Sequence, residues 1–218
     1  MKHLANNLEI VQKEVEKLLK SDKTGHSYDH IKRVVGLTTR LLVDEACEYT
    51  ALMIAYLHEI FDDKLLLPYD NLDEIYETWG LVKTEHFSEI EKGIKSIGFK
   101  GGFEVSEKSL EAQIVSDADL LDAMGAIGIG RAFYYAGSKG QPFHDYELEG
   151  VVATDYVSYR SKNKNVMGHF DEKLLRLKDF IVTEKGKQIA QKRHKMLQLF
   201  YDTFYEELKE GDVNEVKD

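Results

Sequence analysis

Residues 51–57, ALMIAYL, are apolar on every side and are followed at once by His58 and Glu59. An all-apolar helical run is stable only when other elements surround it. The rest of the chain must therefore wrap this segment. Leu4, Leu8, Val11, Val15 and Leu18 recur at steps of four, three, four and three, the stripe of an amphipathic helix. A second helix is expected from Ser27, a good N-cap, with Ile31, Val34, Val35, Thr38, Leu41 and Leu42 inward. Short helices fit about 71–80 and the segment with Ile90, Ile94 and Ile97. From Ser106 the pattern resumes through Leu110, Ile114, Ala118 and Leu121, and a last long helix fits 184–210.

No strand-like alternation of useful length interrupts these stripes. The two prolines, Pro68 and Pro142, lie outside them, as helices require. The glycine-rich run GAIGIG at 125–130 and the polar segment 137–149 read as irregular, the latter as a long loop, and helical patterns return near 150–163. An all-α fold in one domain over 1–218, with a C-terminal helical extension from about 150, is the expected architecture.

With 29 lysines and arginines against 39 aspartates and glutamates, the formal net charge is −10. Such a surface repels long nucleic acids and anionic lipid. A small phosphorylated ligand stays open, because a metal and a few cations can reverse the sign inside a cleft. Cys47 is the one cysteine, which excludes an intrachain disulfide and fits a reducing, cytoplasmic setting. The N-terminal stretch does not read as a signal peptide, and no apolar stretch nears the roughly 18–20 residues that cross a bilayer. No membrane partner is expected.

Against this background several polar residues stand out. Glu59 either faces water where the buried helix ends or is paired, since an isolated buried carboxylate is costly. Asp62 and Asp63 follow it, making an acidic cluster that holds a cation or forms a solvated loop. His26 and His30 are four apart and share a face only if both are helical. Asp117, Asp119 and Asp122 interrupt an apolar helix, where acids must be satisfied. Periodicity puts Asp117 on the Leu110–Ile114–Leu121 stripe and Asp119 and Asp122 beside Val115. It does not choose a ligand among them. A mixed histidine and carboxylate set suits Mn²⁺, Fe, Zn²⁺, Co²⁺ or Ni²⁺ better than calcium. Such an ion polarises a phosphoryl oxygen and acidifies water.

The order of these motifs resembles the HD superfamily of metal-dependent phosphohydrolases. GHSYDHIKRV at 25–34, DADLLDAMGAIGIGRAF at 117–133 and HFDEKLLRLKDFIVTEKGKQIAQKRH at 169–194 are similar to the opening, central and C-terminal motifs of small bacterial HD proteins, some of them nucleotide pyrophosphohydrolases. The resemblance implies an HD-domain-like helical bundle. It implies a divalent metal ion (Mn, Mg, Fe, Co, Ni or Zn) held by His30, His58, Glu59 and Asp119. Glu59 departs from the pattern, which has aspartate there. Asp62 falls at an acidic position that implies a general acid or base. His26, Arg33, Lys64 and Lys173 are candidate phosphate contacts, with Arg131 and His169 behind them. The implied activity is hydrolysis of a small phosphorylated substrate, a nucleotide first. The alternative is a catalytically degenerate domain that binds metal or nucleotide as a sensor or interaction module. Loops 64–72 and 137–149 are the expected places for base recognition.

Overall fold

The computed structural model describes residues 2–22, 25–61, 65, 67–99, 107–145 and 165–211. Among them the regular structure is entirely helical. The apolar run forms α3, Glu48–Leu57, with Tyr49, Thr50, Ala51, Met53, Ile54, Ala55 and Leu57 buried. Around it lie α1 (Lys2–Leu19), α2 (Tyr28–Leu41), α5 (Phe87–Ser96) and α6 (Leu110–Asp122), all four in contact with it. The short α4 (Leu72–Trp79) packs on α1. This arrangement puts the C-terminal end of α3 between α2 and α6.

The expected stripes are largely the buried ones. In α1 it is Val11, Val15 and Leu19 that are sealed, with Leu4, Leu8 and Leu18 at the margin. Asn7 is fully buried in the same helix. Its amide donates to the Tyr49 hydroxyl and the Val82 carbonyl and accepts from the Val82 N–H, so every polar atom it carries is paired. In α2 the N-cap is Ser27 as expected, although its side chain makes no capping bond. Leu110 departs from expectation. It is 37% exposed because it is the first residue of α6, just past the Ser109 cap.

The glycine-rich run is helical, not irregular. It opens α7, which continues from Gly125 to Lys139 and so occupies the first part of the segment read as a loop. At Gly128 a Cβ would run into the backbone of Ala123 in the α6–α7 turn. The glycine is there for close approach, and packing overrides its weak helix propensity. Residues 146–149 and the helical patterns expected near 150–163 lie outside the described residues.

Beyond them come α8 (Val166–His169), a π-helical turn Phe170–Leu174 and a 3-10 turn Leu177–Phe180. The chain ends in α9, Glu184–Glu210, the long helix expected from the sequence. It rests on α7 and α6. Its start is fixed by Asp117 of α6, whose carboxylate accepts the N–H groups of Val182 at 3.1 Å and Thr183 at 2.7 Å. Thr183 in turn caps α9 by accepting the Gly186 N–H. A Cβ at Gly186 would press on both Thr183 Oγ1 and the Asp117 carboxylate. Among the described residues, no helix is long and apolar enough to cross a membrane.

Candidate metal centre

Three elements converge beside the end of α3. His30 comes from the first turn of α2, His58 and Glu59 from the turn that follows α3, and Asp119 from the last turns of α6. Each offers one ligand atom, and the four atoms lie within 4.8 Å of one another. His30 Nε2 is 3.3 Å from His58 Nε2, 3.2 Å from Glu59 Oε1 and 3.6 Å from Asp119 Oδ1. His58 Nε2 is 3.6 Å from Glu59 Oε1 and 3.9 Å from Asp119 Oδ1.

The second nitrogen of each ring decides what faces inward. His58 Nδ1 is 2.8 Å from the Ala55 carbonyl, which can only accept, so that nitrogen carries the hydrogen. His30 Nδ1 is 2.8 Å from Asp122 Oδ2 and donates to it. In the neutral rings that a metal requires, both Nε2 atoms then present lone pairs to the centre. Two imidazole lone pairs and two carboxylate oxygens then meet with no donor among them. Such a set is repulsive by itself and satisfied by a cation. Ligands held about 2.0–2.1 Å from a common ion at tetrahedral angles stand roughly 3.3 Å apart. The separations here bracket that value, so the donor set fits a divalent metal.

Burial sharpens the electrostatics. His30 is fully buried, and Glu59 is nearly so. Burial works to depress His30, but the Asp122 and Glu59 carboxylates win and raise it above its ordinary value, so a cation binding here would take the place of a proton on Nε2. Burial likewise works to raise Glu59, and the His26 and His30 contacts overcome it, holding the carboxyl well below the usual range. Asp122 is also held low against burial, by His30 and Arg33. Asp119 is the open side of the cluster, its side chain 21% exposed.

Behind His30, Asp122 organises two arginines. Arg33 donates to it from Nε at 2.6 Å and from Nη2 at 3.1 Å, and Arg131 donates from Nη1 at 2.8 Å. Arg131 also reaches the Gly25 carbonyl at 3.0 Å, tying α7 to the segment before α2. The spacing signal for this existed. His30 and Arg33 are three apart on α2, and Asp119 and Asp122 are three apart on α6, so each helix offers two neighbouring groups to the other.

Comparison with known proteins agrees with this frame. No family model matches the chain. Bacillus subtilis YpgQ is 30% identical to it over 193 residues, covering 85% of this chain and 86% of YpgQ. The chain belongs to the HD superfamily of hydrolases, in the group that contains YpgQ. Among solved structures, a Lactobacillus plantarum protein is 31% identical with a TM-score of 0.82, over 94% of this chain and 97% of its own. YpgQ, solved in complex with ADP, has a TM-score of 0.71 at 26% identity, over 94% and 96%. An HD-superfamily hydrolase from Bacillus thuringiensis has a TM-score of 0.68 at 28% identity, over 94% and 98%.

For an HD-superfamily hydrolase the sequence-based candidates fall into three groups. His30, His58, Glu59 and Asp119 come together, with Glu59 inside the cluster despite its extra methylene. His26 precedes α2 instead of sharing its face with His30, and its Nδ1 lies 2.9 Å from Glu59 Oε2. Arg33 stands at the edge of the site, bound to Asp122. Lys173 has its ammonium 5.7 Å from the centre of the Phe99 ring. Asp62, Asp63 and Lys64 lie outside the described residues. The helix acids are also sorted. Asp119 joins the cluster, Asp122 orients a member of it, and Asp117 anchors α9.

Proposed function

We propose that the chain is a metal-dependent phosphohydrolase whose substrate is a small phosphorylated molecule, with nucleotides as the substrate class. The observation that carries this reading is the meeting of four acceptor atoms beside two arginines that share a single carboxylate. A divalent ion held by His30, His58, Glu59 and Asp119 would supply Lewis acidity toward a phosphoryl oxygen. The remaining work belongs to the chain. Asp122 keeps the His30 ring turned so that Nε2 faces the centre. The Ala55 carbonyl does the same for His58. Arg33 and Arg131 share one aspartate, so with a divalent ion balancing Glu59 and Asp119 a positive charge would be left over at the rim, where it suits a phosphate better than a neutral ligand. Arg33 keeps about a third of its side chain in solvent, within reach of an incoming anion.

Nucleotides are favoured because YpgQ, whose length this chain shares, has been solved with ADP. The acidic surface disfavours long nucleic acids as substrates. Asp62, three positions after Glu59, is our candidate for proton handling, and Lys64 for phosphate contact. That Glu59 brings its carboxylate into the cluster favours a working ligand over a decayed one. The test is a panel of nucleoside di- and triphosphates assayed with Mn²⁺, Mg²⁺, Co²⁺, Ni²⁺ and Zn²⁺. Turnover that chelation abolishes and metal restores is the expected result. A folded, metal-loaded protein that hydrolyses nothing on the panel defeats the enzymatic reading and leaves a sensor that binds metal or nucleotide.

A further inference from the structure

Glu59 stands where the HD pattern has aspartate, and its two oxygens are divided between two tasks. Oε1 faces the cluster, 3.2 Å from His30 Nε2, while Oε2 faces away and lies 2.9 Å from His26 Nδ1. The extra methylene of glutamate adds one more rotatable bond to the carboxylate. Something must stop that bond turning, or the cluster loses a ligand oxygen for part of the time. His26 is placed to do so. Its backbone N–H donates to Asp22 Oδ2 at 3.0 Å, which holds the segment before α2. Its ring meets the His30 ring edge-on, with centroids 6.4 Å apart. Only 13% of the His26 side chain and 9% of the Glu59 side chain are exposed, so water competes little for their bond.

We infer that His26 is a positioning residue for Glu59, donating Nδ1–H to Oε2 so that Oε1 alone is turned to the metal. The histidine and the glutamate work as a unit that replaces one shorter side chain. This inference rests on the metal reading above. It also reassigns His26, whose inner nitrogen is used by Glu59 and is not available to a phosphate.

The experiment is titration of Mn²⁺ into the whole protein, read by calorimetry and by the electron paramagnetic resonance of free Mn²⁺. His26→Phe keeps a ring but has no donor, and His26→Asn keeps an N–H near the position of Nδ1. Outer-shell hydrogen bonds to ligands typically matter by about 10–100-fold in metal affinity. The expected result is a loss of that order in His26→Phe and recovery to within a few-fold of wild type in His26→Asn. In a Glu59→Asp background, where the shorter carboxylate cannot span both partners, His26→Phe should cost little more, a non-additivity that marks coupled residues. Wild-type affinity in His26→Phe overturns the inference, as does an equal loss in both backgrounds. Wild-type protein that binds no Mn²⁺ overturns the metal reading itself, which keeps the two failures apart. Thermal melts of each variant separate loss of ligand positioning from loss of fold.

Discussion

Asp122 Oδ2 lies 2.8 Å from His30 Nδ1 across ninety-two positions of sequence, and that bond sets which nitrogen of the buried ring faces the cluster of His58, Glu59 and Asp119. A ligand histidine is commonly oriented by such a carboxylate. Here the same carboxylate also holds Arg33 and Arg131.

Asp122→Asn should therefore weaken metal binding without removing a ligand. The amide can still accept from His30, but it loses the charge and gives up part of the arginine pairing. We expect roughly a 10–100-fold loss of Mn²⁺ affinity, with saturating metal restoring most of the turnover. Calorimetric titration and metal-dependent rates check this. Unchanged affinity would mean that His30 is oriented by packing alone.

The proposed direct ligands should behave differently. His58→Ala and Asp119→Ala each remove one inward atom from the centre. Their loss of metal affinity should exceed the roughly 10–100-fold typical of outer-shell changes, and saturating Mn²⁺ should not recover wild-type kcat. Metal content after gel filtration, together with kcat at several metal concentrations, separates these variants from Asp122→Asn.

Asp117 is expected to affect stability and leave metal binding nearly intact. In Asp117→Ala, the N–H groups of Val182 and Thr183 lose their acceptor at the start of α9. Both bonds are part-buried, and each such bond contributes about 0.5–1.5 kcal/mol net, more where the acceptor is charged. At about 2–4 °C of Tm per kcal/mol for a chain of this size, a clear drop should appear in a thermal melt. Gly186→Ala should lower Tm as well, because its methyl group would press on Thr183 and Asp117. A metal affinity that fell as far as in His58→Ala would place Asp117 in the site after all.

Acid sensitivity should trace in part to Glu111. Its Oε1 accepts the Cys47 N–H at 2.8 Å, at the start of α3. Burial works against the charged form, yet this bond and others hold the carboxyl below its ordinary value of 4.5. A lowered folded value means that the charged group stabilises the fold above 4.5 and that this contribution fades as pH falls below it. Glu111→Gln should be less stable than wild type at pH 7, and the gap in Tm should narrow as pH drops below 4.5. A gap that stays constant with pH would count against the charge as its source.

Helices α1, α2 and α9 were legible because their stripes were, and α3 because its run is apolar all round. The extent of α9, expected at 184–210 from its stripe, is the one observed, and the structure adds the Thr183 cap at its start. The clustered set was partly legible. His58 and Glu59 stand out because they end an otherwise apolar run. Asp119 could not be separated from Asp117 and Asp122 by periodicity, since α6 is buried on nearly every side and an all-buried helix has no outward face to serve as a reference. Family resemblance chose among them. The partner of His30 was hidden by sequence distance. The bond between His26 and Glu59 was hidden because a histidine just before a helix has no stripe to belong to. The glycines of α7 misled for a different reason. Their local preference is irregular, and only the nearness of the Ala123 backbone shows why they are needed.

Asp117, Asp119 and Asp122 occupy less than two turns of α6 and point to three destinations, α9, the metal centre and the far side of His30. An α-helix turns about 100° and rises about 1.5 Å with each residue. One residue inserted between Asp117 and Asp119 would swing whatever follows by that angle. The helix could then keep its grip on α9 or its place at the metal, and not both. This short segment acts as a fixed gauge. It can accept a change of letter at one position, but it has no tolerance for a change in length.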